Sequence, residues 1–437
     1  MNIIIAGAGK VGFNLAKTLS IGHNVTIIDK NTEALHRIQE SLDIMPLSGD
    51  VEDSKIYEHF VDKKVDLFIA VTNADNVNLV ATLMADSVLK IDKKIVRIKN
   101  HFYGDTLVQE KLNIYKFIYP IKLTSQTIAS LLEYPMANNV KFFKYTQQRL
   151  ISIRATYALN MNEINKQKIA LVGIERDKSF FIPTEQTSIE VNDLVYFFGL
   201  EEDIQDVCRQ LEHKQDNVMQ RCVVFGANDL GTAITKELID ANKTVKLIEK
   251  DLALCEKADE ILAGKASVIH SKYGIETLFE DEGLENADIF ISATDNDEYN
   301  IAKCLEAREK GIQKVMAINN EMEYYSLMHS LGIIVVRGTK MSAYNKIMEE
   351  ISSNGVVIEK SYCGSKANIQ MRKFFVNSPY IDKKIKAPKV KHSQLFFLRH
   401  EKLYAFTDTF IVQENDVILA FCETKESAKV KQWIYEL

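Results

Sequence analysis

The sequence predicts an α/β protein with two doubly wound parallel sheets, each followed by a small α+β module. Two observations lead to this fold class. A β-branched run near residue 1 passes into a glycine-rich turn and a helix-like stretch, and the same pattern returns about 220 residues later. Each copy is followed by short alternating strands, a continuous apolar strand and a closing helix, which is typical of a small α+β unit.

The first element is a strand that ends in a glycine turn. The run Ile3–Ala6 has the length and branching of a strand buried on both faces. Gly7, Gly9 and Gly12 follow with the spacing GxGxxG. The first permits the tight turn, the second lets a pyrophosphate approach the backbone, and the third lets the helix pack on the strand. This pattern predicts a Rossmann-like dinucleotide-binding domain.

An acidic residue stands where this fold binds ribose. The β-rich run Asn24–Ile28 is followed by Asp29, 20 residues beyond Gly9. At that distance a carboxylate can accept hydrogen bonds from the adenosine ribose hydroxyls, and it would repel a 2′-phosphate. We therefore expect NAD(H) or another adenine nucleotide rather than NADP. The turn and Asp29 contact only the groups that NAD(H), ATP and ADP share, so the choice among these stays open.

The chain contains an internal repeat. Residues 222–249 repeat the strand, the glycine turn, the helix and the second strand, which ends in Glu249. The sequence AVTNADNVN at 70–78 has its counterpart, SATDNDEYN at 292–300, 222 residues later. Two nucleotide-binding folds are therefore expected in one chain.

The two small modules also correspond to each other. Arg176 and Asp193 of the first match Arg399 and Asp416 of the second, each 223 residues later. The order of parts is therefore A–B–A′–B′. We place these parts at residues 1–120, 138–216, 220–340 and 355–437.

Two helical stretches join these parts. The apolar residues of Leu123–Glu133 and of Met341–Ile351 recur at a spacing of three to four residues. Such a helix, lying outside its own sheet, can pack in the core of its own chain or against a neighbouring domain or subunit. The sequence leaves both arrangements open.

Composition excludes several classes of protein. At 437 residues the chain is long enough for two to four domains, and 46% hydrophobic and 26% charged residues are usual for a folded protein. A net charge of −6 argues against a nucleic-acid binder, because such domains usually carry a basic surplus. No run approaches the roughly 20 apolar residues that span a bilayer, so a cytoplasmic protein is expected. The six cysteines and nine histidines are dispersed, so we expect reduced thiols and no metal site.

In this order the motifs resemble the TrkA family of Trk-type potassium uptake regulators, which consist of two tandem RCK (KTN) modules. The resemblance covers essentially the whole chain. It rests on IIIAGAGKVG at 3–12, SGD at 48–50, AVTNADNVN at 70–78, IVRI at 95–98, LLEYP at 131–135 and the two duplicated C-terminal modules. It implies a non-enzymatic cytosolic subunit, peripheral to the inner face of the membrane, that binds NAD(H) or ATP/ADP and controls a membrane potassium transporter subunit. It also implies a homo-oligomer in the form of a tetrameric ring.

By position, the resemblance also implies roles for individual residues of the first module. The glycine turn and the start of the helix would hold the phosphates, and Asp29 would hold the ribose. The loop after the fourth strand would contact the sugar or a phosphate, and Arg97 would contact a phosphate. These residues are Gly7, Ala8, Gly9, Lys10, Val11, Gly12, Asp29, Thr72, Asn73 and Arg97. An arginine can pair a phosphate through two parallel hydrogen bonds, and parallel sheets bind ligands at the carboxyl ends of their strands. Arg97 could instead form a surface ion pair, and Asp50 could bind the ligand or cap the next helix.

The second module departs from this pattern. Asn228 and Ala317 stand where the first copy has Gly9 and Arg97. An asparagine side chain would crowd the approach of a pyrophosphate. Glu249 can still accept hydrogen bonds from ribose hydroxyls. A weak, altered or purely structural site is therefore expected in this module.

Two other functions compete with a potassium uptake regulator. An NAD-dependent oxidoreductase needs a substrate domain that places an acid or a base beside the nicotinamide. Here the first nucleotide-binding fold is followed by a small β-rich module and a second copy of the same fold, and no convincing catalytic set emerges. The other candidate is a nucleotide-sensing regulator of a different ion transporter. The sequence does not define the direction of control or an effector of the small modules.

Overall fold

A computed structural model describes most of the chain. The described residues are 1–100, 106–134, 137–160, 168–184, 186–212, 219–271, 276–352, 357–406 and 408–437. The chain forms two compact units, one of Met1–Gln126 with Arg337–Met348 and the other of Thr127–Val336 with Glu349–Leu437. Within the described ranges, no helix is both long enough and apolar enough to cross a lipid bilayer.

The first unit contains a six-stranded sheet. Its strands are β1 (Asn2–Ala6), β2 (Asn24–Asp29), β3 (Met45–Ser48), β4 (Leu67–Ala70), β5 (Lys94–Arg97) and β6 (Lys116–Ile118). They pair in parallel in the order β3-β2-β1-β4-β5-β6. The central strand is buried, since Ile3, Ile4 and Ile5 are at most 2% exposed. This arrangement confirms the predicted doubly wound parallel sheet.

The helices of this unit follow the strands in alternation. They are α1 (Lys10–Leu19), α2 (Thr32–Gln39), α3 (Asp75–Leu89), α4 (Thr106–Lys111) and α5 (Pro120–Leu132), with a 3₁₀ helix at Ser54–Phe60. Ala81 and Ala85 of α3 pack in one core with Phe68 and Val96 of the sheet. Their small side chains let the helix lie close to the strands.

The second unit begins with an antiparallel sheet. Its five strands are β7 (Ala137–Phe143), β8 (Thr146–Arg154), β10 (Ile169–Arg176), β11 (Ser179–Phe181) and β13 (Leu194–Gly199). A separate two-stranded ribbon consists of β9 (Leu159–Asn160) and β12 (Ser188–Ile189). The closing helix is α6 (Glu201–Glu212). The five strands lie in the order β11-β10-β13-β8-β7. Strand β13 is buried along its length, as its continuous apolar sequence predicts.

A second six-stranded sheet follows. Its strands are β14 (Arg221–Phe225), β15 (Thr244–Glu249), β16 (Ser267–His270), β17 (Ile289–Ser292), β18 (Lys314–Asn319) and β19 (Ile334–Arg337). The accompanying helices are α7 (Asp229–Asp240), α8 (Leu252–Leu262), α9 (Glu276–Asp281), α10 (Asp297–Glu309), α11 (Tyr325–Ser330) and α12 (Thr339–Ser352). The order β16-β15-β14-β17-β18-β19 repeats that of the first sheet, which confirms the predicted duplication.

The last module repeats the first small one. Its elements are β20 (Val357–Tyr362), β21 (Ala367–Lys373), β22 (Lys384–Lys386), β23 (Ser393–Arg399), β24 (Lys402–Ala405), β25 (Thr409–Ile411), β26 (Val417–Glu423) and α13 (Ser427–Glu436). The sheet order is β20-β21-β26-β23-β24, and β22 pairs with β25. The duplicated arginine and aspartate form the same 2.7 Å ion pair in both modules, Arg176 with Asp193 and Arg399 with Asp416.

The two five-stranded sheets share one hydrophobic core. Phe198 of β13 and Phe421 of β26 lie in this core with their ring centroids 5.2 Å apart. The pairing of β10 with β13 has a β-bulge between Leu171 and Gly173, and the Tyr362 hydroxyl donates a hydrogen bond to the Val172 carbonyl, 2.9 Å away. The apolar patterns of the sequence predicted each sheet but did not predict that the sheets cover each other.

The two joining helices are present as predicted. Leu123–Glu133 lies largely within α5, and Met341–Ile351 lies within α12. In the first unit, the Thr124 hydroxyl of α5 donates a hydrogen bond to Ser342 of α12 (2.9 Å), and the hydroxyls of Thr18 and Tyr344 lie 2.8 Å apart. Helix α12 follows the second sheet but contacts α1 and α5, which belong to the first, so it packs against a neighbouring domain of its own chain.

Candidate functional site

A cleft of about 830 Å³ opens at the carboxyl ends of β1, β2, β3 and β4. In the doubly wound order this is the point where the winding of the sheet reverses, and open parallel sheets bind their ligands there. Seven of the predicted site residues line the cleft: Gly7, Ala8, Gly9, Lys10, Asp29, Thr72 and Asn73. The fold therefore brings together residues that come from three separate loops of the sequence.

The turn after β1 requires glycine at two positions. Gly7 has a φ of +113°, which side chains disfavour. A Cβ on Gly12 would lie 1.9 Å from the Gly7 carbonyl oxygen, so the close approach of α1 to the turn excludes a side chain. Gly9 differs, because a Cβ there would meet no atom within 4 Å. The open space beside Gly9 is where the fingerprint places a pyrophosphate.

Helix α1 begins without a cap from a side chain. Gly9 is its N-cap residue, and the first turn contains no acidic residue. Instead, the exposed Lys10 lines the cleft at this point. The first amides of a helix have no partner inside the helix, and the helix dipole favours an anion at this end. This end of α1 is therefore suited to a phosphate.

Two backbone amides hold the carboxylate of Asp29. One oxygen accepts a hydrogen bond from the Ala8 amide (2.6 Å), and the other accepts one from the Asn31 amide (2.8 Å). Asn31 in turn caps α2 by accepting a hydrogen bond from the Ala34 amide (3.1 Å). These contacts fix Asp29 at the wall of the cleft. A carboxylate oxygen has two acceptor sites, so each oxygen can still accept a ribose hydroxyl.

A buried asparagine that sequence reasoning did not single out holds the loop after β4. Asn78 is 1% exposed. Its side-chain oxygen accepts hydrogen bonds from the amide (2.8 Å) and the hydroxyl (2.7 Å) of Thr72, and its NH₂ group donates to the carbonyls of Thr72 (3.1 Å) and Arg97 (2.9 Å). Asn300 makes the equivalent contacts with Thr294 and Ile318. The sequence offered one signal for this role, because an asparagine ends both copies of the duplicated motif.

Three predicted site residues of the first module do not line the cleft. Val11 and Gly12 are buried in the first turn of α1. Arg97 ends β5 and is 5% exposed, and burial lowers the pKa of its guanidinium while the Asp75 carboxylate acts in the opposite direction. Its Nε has no hydrogen-bond partner among the described residues. A side chain this buried does not form a surface ion pair, and its contact with a phosphate stays a prediction.

Asp50 also lines the cleft. Its carboxylate accepts a hydrogen bond from the Glu52 amide (3.0 Å) in the turn after β3. The 3₁₀ helix that follows is capped instead by Asp53, which accepts from the Lys55 amide (3.0 Å). The capping role that the sequence left open therefore falls to Asp53, and a ligand contact by Asp50 stays a prediction.

The corresponding turn of the second sheet is closed by its own side chains. Asn228 caps α7 by accepting a hydrogen bond from the Gly231 amide (2.9 Å), and its NH₂ group donates to the Ala293 carbonyl at the end of β17 (3.1 Å). Asp229 stands in the position of Lys10 and pairs with Lys257 (2.7 Å). The start of α7 thus has the side-chain cap that α1 lacks, and an acidic residue replaces the lysine.

Glu249 is more enclosed than its counterpart Asp29. It is 7% exposed, and its two oxygens accept hydrogen bonds from the amides of Ala227 (2.7 Å), Lys250 (2.7 Å) and Asp251 (3.0 Å). A contact between Glu249 and a ribose stays a prediction. The strand register corrects the predicted counterpart of Arg97. Ala317 pairs with Ser292 as Val96 pairs with Ala70, so the residue at the position of Arg97 is Ile318, which is fully buried in β18.

The TrkA-N domain model matches the chain twice, at residues 3–120 and 222–337. The two matches coincide with the two parallel sheets and together cover more than half of the sequence. The chain belongs to the TrkA-N family. The cleft described above lies in the first TrkA-N domain, and the self-capped turn lies in the second.

Relatives named as Trk system potassium uptake proteins match most of the chain. TrkA homolog 1 of Methanosarcina mazei is 26% identical over 99% of this chain and 100% of its own length. TrkA of Halomonas elongata is 26% identical over 82% of this chain and 80% of its own length. The match to the first relative therefore includes both TrkA-N domains and both small modules.

Solved structures of an RCK-containing channel have the same fold. The GsuK channel bound to NAD superposes with a TM-score of 0.63 over 100% of this chain and 79% of that chain, at 14% identity. GsuK bound to ADP gives a TM-score of 0.51 over 80% of this chain and 69% of that chain, also at 14% identity. At this identity the likeness concerns the fold, in which TrkA-N domains and small antiparallel modules alternate.

We predict that Asn78→Ala weakens the first TrkA-N domain. The substitution leaves the Thr72 amide and two buried carbonyls without their partner, which should lower the free energy of unfolding by about 1–3 kcal/mol. Urea denaturation followed by circular dichroism measures this loss. Asn300→Ala is the matched control, because it removes the same contacts in the second TrkA-N domain. We expect a similar loss of stability from the control, but only Asn78→Ala should lower nucleotide affinity. Equal affinities for the two variants would contradict the role of Asn78 at the cleft.

Proposed function

We propose that this chain is a cytosolic regulatory subunit of a Trk-type potassium uptake system. In this proposal it binds NAD(H) or adenine nucleotides and gates a membrane potassium-translocating subunit. It acts at the inner face of the membrane as a tetrameric ring and is not an enzyme. The names of the relatives support the link to potassium uptake. We assign the four parts of the subunit to residues 1–120, 138–216, 220–340 and 355–437.

The observation that carries the nucleotide proposal is the start of α1. It combines an uncapped helix end, an exposed lysine and the open space beside Gly9, and all three face one cleft. The turn of the second TrkA-N domain lacks each of these features. A phosphate therefore has a complementary site in the first domain, whereas in the second it would have to displace the side chain of Asn228 and approach Asp229.

We assign the remaining roles as the resemblance implies them, and the seven residues that line the cleft support this assignment. The backbone from Gly7 to Gly12 with Lys10 holds the phosphates, Asp29 accepts the ribose hydroxyls, and Thr72 and Asn73 contact the sugar or a phosphate. Arg97 supplies charge from the end of β5. NAD and ADP, which are bound to GsuK in its solved structures, both contain the adenosine and pyrophosphate groups that such a cleft would bind.

Regulation requires unequal binding to two states. A nucleotide that bridges the loops after β1, β2 and β4 favours the arrangement in which these loops are correctly spaced, and a ligand that binds both states equally would shift nothing. A coupling of about 1–3 kcal/mol is enough for a 5–150-fold change in the activity of a partner. In this proposal the second TrkA-N domain is a structural copy that binds no nucleotide and transmits the conformational change.

Potassium uptake into proteoliposomes tests the regulatory part of the proposal. The membrane subunit is reconstituted with the wild-type chain, and uptake is measured with NAD⁺, NADH, ATP or ADP. We expect at least one nucleotide to change the rate severalfold, and we expect Gly9→Asn to remove that response because its side chain occupies the phosphate position. Gly22→Asn is the control, since Gly22 also faces open space but lies outside the cleft. The proposal would be contradicted if the chain did not change the rate of potassium uptake. It would also be contradicted if the Gly9→Asn variant still responded to the nucleotide.

A further inference from the structure

Positive charge is concentrated in the last module of the chain. Residues 357–437 contain fourteen Lys and Arg against nine Asp and Glu, a net charge of +5. The corresponding first module, residues 137–212, contains nine basic and eleven acidic residues, a net charge of −2. Two copies of one fold in one chain therefore differ in the sign of their charge, which the shared fold does not require.

Most of the difference lies in one short segment. Five lysines fall within nine residues, and all five are exposed: Lys383, Lys384, Lys386, Lys389 and Lys391. No acidic side chain of the described residues pairs with any of their ammonium groups within 4 Å. Two exposed acidic residues border this segment, Asp382 before it and Asp408, whose carbonyl accepts a hydrogen bond from the Ala387 amide.

Part of this segment lies in the antiparallel ribbon of β22 and β25. Ile385 and Phe410 are paired across the ribbon and point into a small core, where Phe374 and Trp433 also pack. Side chains alternate along a strand, so Lys384 and Lys386 lie on the outer face. Ile411 is paired with Lys384 and is 56% exposed. The outer face therefore presents lysines beside an exposed aliphatic side chain.

A second exposed apolar side chain follows a residue of the ribbon's core in sequence. Phe374 belongs to the ribbon's core, and Val376, two residues further, is 66% exposed in the following turn. Lysines that have no acidic partner, beside exposed aliphatic residues, fit a surface that is anionic and has an apolar layer beneath it. Cytoplasmic loops of membrane proteins carry an excess of Lys and Arg, so they are a poor electrostatic match for this ribbon.

We propose that the β22–β25 ribbon and residues 383–391 form a docking surface for anionic phospholipid headgroups. The lysines supply long-range attraction, and Ile411 and Val376 enter the headgroup layer. This contact is independent of nucleotide binding in the first TrkA-N domain. It gives the chain an attachment to the membrane surface in addition to any contact with a membrane protein.

Co-sedimentation of the full chain with vesicles tests this proposal. The vesicles contain phosphatidylcholine alone or phosphatidylcholine with about 30% phosphatidylglycerol. We expect binding only to the anionic vesicles, and we expect it to weaken when the ionic strength rises from about 0.1 to about 0.5 M. The single tryptophan, Trp433, packs against the core of the ribbon and provides a second signal, because its fluorescence should change when vesicles bind.

The decisive variant is the triple charge reversal of Lys384, Lys386 and Lys389 to Glu. It should raise the lipid concentration for half-binding by about tenfold or more. Reversal of Lys17, Lys55 and Lys63, three exposed lysines of the first unit, changes the net charge by the same amount and should leave binding unchanged. The proposal is overturned if the chain does not bind anionic vesicles, or if both variants lose vesicle binding equally. It is also overturned if a duplex DNA fragment binds the chain at a lower concentration than lipid does and displaces the vesicles.

Discussion

Gly12→Ala is expected to destroy the nucleotide-binding turn of the first TrkA-N domain. The added Cβ would lie 1.9 Å from the Gly7 carbonyl oxygen, well inside the contact distance of two heavy atoms. Because that oxygen belongs to the backbone, either α1 must leave β1 or the turn must open. We expect the free energy of unfolding of this domain to fall by about 3 kcal/mol or more, since overpacking against rigid backbone cannot relax locally. Urea denaturation measures the loss, and calorimetric titration should show no nucleotide binding.

Two control variants separate the turn from general effects of the substitution. Gly22→Ala adds the same methyl group in open space and should change stability little. Gly231→Ala places its Cβ 1.8 Å from the Gly226 oxygen in the second TrkA-N domain. It should be as destabilising as Gly12→Ala but should leave nucleotide affinity intact. Wild-type stability of Gly12→Ala would contradict the close packing of α1 on the turn.

Phe421→Ala is expected to weaken both small modules at once. Phe421 is fully buried, and its ring contacts Phe396 and Tyr362 of its own module and Phe198 of the other. Removal of a buried phenyl ring leaves a cavity and costs about 3–5 kcal/mol. Because the core is shared, we expect faster hydrogen exchange in β13 of the first module as well as in β26 of the second.

Phe410→Ala is the matched control for the shared core. Phe410 is also buried, but it packs against Phe397 and Phe406 in the separate small core of the last module. Its loss should increase hydrogen exchange in the second module and leave β13 protected. If Phe421→Ala also left β13 protected, the two sheets would not form one cooperative core.

The parts of the fold that depend on local backbone geometry could be predicted from the sequence. The spacing of Gly7, Gly9 and Gly12 after a β-branched run allows few structures, because each glycine meets a separate steric requirement. The repeat then located the second sheet and the second small module. Asp29 could be placed for the same reason, since the distance from the turn to the end of β2 is fixed by the intervening helix.

Features that depend on partners distant in sequence could not be predicted. An apolar strand shows that a face is covered but not what covers it, so the shared core of the small modules was missed. The structural role of Asn78 could not be predicted, because the sequence of a polar loop does not show whether its asparagine binds a ligand or the backbone. Asn228 was expected to crowd a pyrophosphate, but its bond to the Ala293 carbonyl depends on the position of β17. The depth of Arg97 in the sheet was likewise not evident from its neighbours.

Calorimetric titration of the purified chain with NAD⁺, NADH, ATP and ADP tests the central claim most directly. The key variant is Gly9→Asn, which gives the first turn the residue of the second. Gly9 has a φ of −69° and open space around its α-carbon, so the variant should fold normally. We predict sub-millimolar binding of at least one nucleotide to the wild-type chain, and a loss of about tenfold or more in Gly9→Asn, equivalent to about 1.4 kcal/mol. Absence of heat with all four nucleotides, or equal affinity in the folded variant, would contradict a nucleotide site in the first TrkA-N domain.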